Sequence, residues 1–290
     1  MGVRGLLTLC VALFAGPVLA QGATTLHDIG LATPESVLYV AGTDTYLVSN
    51  INGAPLDKDG NGFISKLAPD GSVIDLTWID GAAAGVTLDG PKGMAIAGGV
   101  LYVADITALR MFDATSGEPV GSVEVPGSTF LNDVAAAPDG TVYVTDSGLD
   151  AQFQATGTDA IYAYKDGSLA PVIGGPELDH PNGVTVLPSG ALLVVPFGGS
   201  KAMYQVANGT VSDTQALPVG QLDGVVLLPG GDVLVSSWQA SSVVRVSPDG
   251  SSVTVASGTP APADIGYDSA RNRLLVPLFN DDAVQIVPLG

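Results

Sequence analysis

Four oxygen-bearing side chains, Glu35, Asn132, Asn182 and Asp223, each head the same short phrase: a polar residue, a small or polar one, then an alternating apolar run. Lys92 and Ala263 head two further copies, so the six leading positions hold four oxygen donors, one cation and one blank. If the copies are structurally equivalent, these six residues form a ring. Two carboxylates and two neutral amides present only hard oxygen ligands, which suits Ca2+ with waters completing the shell. Zinc prefers His and Cys, and Mg2+ retains more of its own waters. The competing reading of any one such residue is a polar cap that binds loop backbone; four in register favour the metal.

A cation held by such a ring would act as a Lewis acid toward a bound carbonyl group. The ion would polarise the carbonyl and stabilise the developing oxyanion, while His180, which precedes Pro181-Asn182, is a candidate to take the proton from water. His27 is the other histidine, and a structural role is expected for it. No serine nucleophile is needed, and Gly-x-Ser-x-Gly is absent. Lys92 is expected either to pair with a carboxylate across the channel or to hold a negative group of the substrate. Phe197, Trp238 and Phe279 follow apolar runs in the last three copies and either line an apolar pocket for an acyl or aryl group or pack between repeats. Asp57-Lys58-Asp59-Gly60-Asn61-Gly62 matches the first half of an EF-hand loop, but position twelve is Ala68. Asp57, Asp59 and Asn61 are thus a second, weaker candidate calcium site, with a solvated turn as the alternative.

Something must carry six heads to one axis. The first apolar residues of the copies are Val37, Met94, Val134, Val184, Val225 and Ile265, spacings of 40 to 57 residues. Pro138-Asp139-Gly140, Pro188-Ser189-Gly190 and Pro229-Gly230-Gly231 each separate a first strand from a second. Pro69-Asp70-Gly71, Asp166-Gly167 and Pro248-Asp249-Gly250 follow a third strand (63–67, 160–164 and 243–246) and precede a fourth. Each unit is therefore a four-stranded antiparallel meander, and six of them make an all-β, six-bladed β-propeller. The last copy stops after its third strand, residues 283–288, so the segment 24–31 is expected to supply the missing outer strand and close the ring. Two long loops, 50–62 and 146–159, are expected to stand around the channel mouth.

Composition agrees with this architecture. The chain has 290 residues, 38 Gly, 20 Pro and only 13% charged residues, which is rich in turns and apolar strands. Ten basic against 29 acidic residues give a net charge of −19, which excludes a nucleic-acid groove or an anionic membrane surface and makes cations natural partners. Residues 1–20 combine Arg4, an apolar run from Leu6 to Ala15, a Gly-Pro break and Val18-Leu19-Ala20, the pattern of a secretory signal peptide. The expectation is a secreted or periplasmic monomer, free of the membrane after cleavage, whose single propeller domain spans residues 21–290. Cys10, the sole cysteine, lies in that leader, so stability must come from packing, a metal, or both.

The phrases Leu131-Asn132-Asp133-Val134, Pro181-Asn182-Gly183-Val184 and Leu222-Asp223-Gly224-Val225, with Pro138 to Asp146, resemble the inner-strand motifs of the regucalcin/gluconolactonase (senescence marker protein) family, calcium-dependent lactonase and phosphotriesterase-like propellers. Paraoxonases and strictosidine synthases form a wider circle. The resemblance implies that Glu35, Asn132, Asn182 and Asp223 hold a catalytic divalent metal, usually calcium, and that Asp223 is both ligand and base. The first motif departs from the family, reading Glu35-Ser36-Val37-Leu38-Tyr39 in place of Glu-Gly-Pro and an aromatic. The arginine with which sugar-lactonase members grip a polyol has no clear counterpart. A non-enzymatic propeller of the NHL-repeat kind, closed by calcium and binding a ligand or protein on its face, is the rival reading.

Overall fold

The computed structural model describes residues 22–290; the expected signal peptide, 1–20, lies outside the described residues. Strand β1 (Thr24–Leu26) comes first, and blade 1 follows with β2 (Pro34–Val40), β3 (Thr45–Asn50), β4 (Phe63–Leu67) and β5 (Val73–Asp80). Blade 2 is β6 (Pro91–Ala97), β7 (Val100–Asp105), β8 (Ala108–Asp113) and β9 (Pro119–Glu124). Blade 3 is β10 (Leu131–Ala136), β11 (Val142–Asp146), β12 (Ala160–Lys165) and β13 (Ser168–Gly174). A 3-10 turn, Pro176–Leu178, leads to blade 4: β14 (Pro181–Val186), β15 (Leu192–Pro196), β16 (Ala202–Ala207) and β17 (Thr210–Ala216). Blade 5 is β18 (Leu222–Leu227), β19 (Val233–Ser237), β20 (Ser242–Val246) and β21 (Ser252–Ser257), and blade 6 is β22 (Gly266–Asp268), β23 (Arg273–Leu278) and β24 (Ala283–Pro288).

Each blade is a four-stranded antiparallel sheet, and β1 is the fourth strand of blade 6. Thr24 pairs with Ile286 and Leu26 with Val284, so the ring closes through its first and last strands. The closing strand is shorter than the expected 24–31. At Asp28 the backbone takes a left-handed φ of 56° and the chain turns out of the sheet, and Leu31 then drops into the core between blades 6 and 1.

Strand alternation builds the core. Leu47 of β3 packs toward blade 2 with Met94, Leu101 and Val103, while its neighbours Tyr46 and Val48 face blade 6 and meet Leu275 and Val284. The same exchange repeats around the ring, giving one apolar cluster at every blade interface. Each sheet is therefore buried on both faces, which is why its inner strands read as near-continuous apolar runs. The outer strands, such as β9 and β17, are largely exposed.

Candidate metal centre and pocket

The leading residues reach the axis because the inner strands are bulged. In β10 the partners of Leu131 and Val134 are Asp146 and Val144, so three steps on β10 span two on β11. The same single extra residue occurs in β2, β6, β14 and β18. A bulge frees residues from the ladder and re-aims their side chains. Glu35, Lys92, Asn132, Asn182 and Asp223 all sit in these bulges and are all at least 95% buried. Ala263, the blank, is also buried but does not line the pocket.

Hydroxyls on alternate second strands catch the amides that the bulges strand. Ser49 Oγ accepts from Ser36 N at 2.9 Å, Thr145 Oγ1 from Asp133 N at 2.9 Å and Ser236 Oγ from Gly224 N at 2.7 Å. Two of them donate onward to the next blade, Thr145 to the Asn182 carbonyl (2.8 Å) and Ser236 to the Ala263 carbonyl (2.9 Å). The ring is thus tied blade to blade at the level of its candidate site residues. Small residues are needed here: a Cβ at Gly183 would fall on the Asp223 carbonyl oxygen, and one at Gly224 on the backbone of Asp264 and Ile265.

Four buried oxygens in this ring have no hydrogen-bond partner: Glu35 Oε2, Asn132 Oδ1, Asn182 Oδ1 and Asp223 Oδ1. All four residues line one pocket. Asn132 is oriented for this, since its Nδ2 donates to Ser147 Oγ at 3.2 Å and so leaves Oδ1 toward the cavity. Buried acceptors without donors are costly, about 1–3 kcal/mol each, and four on the wall of one pocket fit a cation with oxygen preference. Without a cation, burial raises the proton affinity of both Glu35 and Asp223, and repulsion from neighbouring carboxylates adds to it. No group of three or more His, Cys, Asp or Glu side chains clusters as a metal site among the described residues, in keeping with a donor set that is half amide.

Lys92 is held otherwise than by an ion pair across the channel. Its Nζ donates to the carbonyls of Gly90 (2.9 Å) and Pro55 (3.0 Å) and lies 4.9 Å from the centre of the Phe130 ring. Burial pulls its pKa down to about 8 against the opposing pull of Glu35 and Asp105. Pro55 belongs to the long loop between β3 and β4, so the lysine also fastens that loop to the mouth.

The remaining lining is apolar. The first residue beyond the second strand is equivalent in every blade: Ile51, Ile106, Ser147, Phe197, Trp238 and Phe279. Phe197 and Trp238 stand edge to face at 5.5 Å, and Trp238 and Phe279 lie 5.2 Å apart. Phe130 and Phe153, which sequence reasoning missed, extend this arc; Phe153 is 6.1 Å from Phe130 and 6.3 Å from Phe197. Phe130 fills the sector where the equivalent position is Ser147, and its only sequence signal is its place directly before β10. Phe153 comes from the loop between β11 and β12, as expected of a wall, and is 48% exposed. The free volume under this arc is about 30 Å3, enough for an ion and a water but well below the ~300 Å3 of a ligand pocket. A ligand of that size would have to displace part of the rim, whose most exposed member is Phe153.

His180 does not line this pocket. Its Nδ1 donates to the Ser147 carbonyl at 2.8 Å and lies 3.3 Å from Asp159 Oδ2, so the ring ties blade 4 to both ends of the 146–159 loop. His27 follows β1 and is exposed. In the other long loop, Asn61 donates to Asp59 through both its backbone N (3.2 Å) and its Nδ2 (2.7 Å), an Asx turn that occupies the Asp59 carboxylate. No hydrogen bond joins Asp57 to either residue, although Asn61 Oδ1 is buried without a partner.

The comparisons agree with this architecture. The family model described as the SMP-30/gluconolactonase/LRE-like region matches residues 33–265, and the chain belongs to that family. No curated protein sequence matches it. Among solved structures it is similar to a gluconolactonase from Xanthomonas campestris, with TM-score 0.68 and 22% identity over 92% of this chain and 90% of that one. It is similar also to virginiamycin B lyase from Staphylococcus aureus (0.66, 12%, covering 92% and 99%) and to a luciferin-regenerating enzyme (0.64, 15%, covering 93% and 96%). At these identities the likeness is one of fold, and the three names already span different chemistries.

Proposed function

We propose that this propeller is a metal-dependent hydrolase of lactones or carboxylic esters, with one divalent cation, calcium by donor chemistry, held by Glu35, Asn132, Asn182 and Asp223. The observation that carries the reading is the set of four partnerless buried oxygens on residues that line one pocket. When bound there, such an ion supplies Lewis-acid polarisation of the substrate carbonyl. The chain's own residues do the rest. The Asp223 carboxylate borders the cavity and takes the proton of the attacking water; the water oxygen bonds to the carbonyl carbon, the ring or ester C–O bond breaks, and the proton passes to the departing alkoxide. His180, turned toward the 146–159 loop, is assigned to positioning that loop. The aromatic arc excludes bulk water and holds the substrate's organic part. The leader would deliver the protein outside the cytoplasm, where its acidic surface meets abundant calcium.

Initial rates on a panel of lactones and aryl esters, with calcium and after chelation, test this. Calcium-restorable turnover is expected. Absence of turnover from folded, calcium-loaded protein overturns it and leaves the binding scaffold.

A further inference from the structure

We infer that the site selects lactones or esters carrying an apolar alkyl or aryl substituent rather than polyhydroxylated ones, and that the indole N–H of Trp238 is a directional donor to the substrate. This rests on the hydrolase reading and adds the substrate class to it.

Thirteen residues line the pocket, and eight are apolar. Of the five polar ones, four are the oxygen quartet, whose outward atoms are committed to a cation. The fifth, Lys92, spends its ammonium on two carbonyls and the Phe130 face. Against the apolar side of the wall, Trp238 Nε1 is a buried donor that has no hydrogen-bond partner. Trp238 lines the same pocket as Asp223, and neither Trp238 Nε1 nor Asp223 Oδ1 has a hydrogen-bond partner. The donor is thus held beside the reacting carboxylate and left unspent. A group such as an ester oxygen satisfies it, whereas each hydroxyl of a polyol pressed against Phe197, Phe279 or Leu149 loses its water without replacement, about tenfold or more in binding. An alkyl or aryl group instead gains by covering the same rings.

Trp238 also supplies a reporter independent of turnover, because the chain has only two tryptophans and the other, Trp78, lies on the outer strand β5. In calcium-loaded Trp78→Phe protein, emission from Trp238 is titrated with the lactam isostere of δ-octanolactone, which is not hydrolysed. In parallel, kcat/KM is measured on δ-octanolactone and on glucono-1,5-lactone with the unmodified chain. Expected are saturable lactam binding and at least about 100-fold preference for the apolar lactone. Trp238→Phe, which keeps the ring and loses the N–H, is expected to lower kcat/KM for δ-octanolactone about tenfold. Equal or better turnover of glucono-1,5-lactone overturns the substrate class while sparing the hydrolase reading. Lactam binding with no hydrolysis of either compound upholds the apolar site and overturns the hydrolase reading; neither binding nor turnover sinks both. An unchanged kcat/KM in Trp238→Phe removes the indole donor from the proposal.

Discussion

Two layers of polar residues cross the channel one position apart, and they treat their carboxylates in opposite ways. The first layer is Glu35, Lys92, Asn132, Asn182 and Asp223; the second is Ser36, Gly93, Asp133, Gly183, Gly224 and Asp264. In the second layer both carboxylates accept hydrogen bonds from the fold. Asp133 accepts from Val134 N at 2.6 Å and, across the blade interface, from Val184 N at 2.7 Å, while Asp264 accepts from the Ser36 hydroxyl. The seam between blades 6 and 1 is further tied by Asp264 N donating to the Glu35 carbonyl at 2.8 Å. In the first layer four oxygens have no donor at all. Both layers are buried and acidic, so burial and charge alone do not identify a site. What separates the carboxylates of the two layers is whether the fold supplies hydrogen bonds to the atoms that burial strips of water.

That contrast can be broken by substitution. Asp223→Ala is expected to lower lactone or ester hydrolysis by at least about 10²- to 10³-fold, about 2.7–4 kcal/mol of transition-state stabilisation, with the β-sheet circular dichroism unchanged. Retained turnover in folded protein would remove Asp223 from the mechanism. Calcium at 100 times its dissociation constant is expected to stabilise the protein by about 2.7 kcal/mol. Thermal melts should show that gain vanish in a Glu35→Gln, Asp223→Asn double variant and persist in Asp133→Asn. Asp133→Ala strands the amides of Val134 and Val184 and is expected to cost about 1–3 kcal/mol for each, read by denaturant unfolding, with calcium affinity changed less than tenfold. A large loss of calcium affinity with little loss of stability would reverse the roles assigned to the two layers.

The first layer was legible in the sequence and the second was not, for a physical reason. Repetition amplifies a weak signal: Asn-Gly and Asp-Gly are ordinary turn residues, but at one blade position in successive repeats they define a ring. The strands at 63–67 and 283–288 were readable to the residue because turns bound them tightly. Strand alternation, however, sends neighbours to opposite faces, so it offers no reason for Asn132 and Asp133 both to reach the axis. The bulge does this, and a bulge leaves little trace in composition. Lys92 pointed to a carboxylate partner by charge, yet it found carbonyls delivered by a loop whose course the repeat does not dictate. Phe130 and Phe153 were missed because they lie in connecting segments outside the repeated phrase. Ala263-Asp264 reads as a strand start, but Asp264 instead bridges to Ser36 of blade 1, and β22 begins only at Gly266.

The smallest expected effect concerns pH, and it joins the two layers. In the ion-free protein burial raises the proton affinity of Glu35, Asp133 and Asp223, and brings Asp264 to about 7. In the unfolded chain these groups release their protons near pH 4. Between about pH 4 and 7 the folded state therefore holds more protons than the unfolded one, so stability is greatest at the acid end and declines as pH rises. A cation in the first layer replaces those protons, which makes calcium stabilisation larger at pH 8 than at pH 5. Melting temperatures of the chelated protein should fall from pH 5 to 8, and added calcium should flatten the decline. General repulsion at net charge −19 pushes in the same direction, so the local contribution is isolated with Asp264→Asn, which keeps an oxygen for the Ser36 hydroxyl but no longer titrates. A shallower decline in that variant ties the pH dependence to the channel; an identical decline assigns it to the surface.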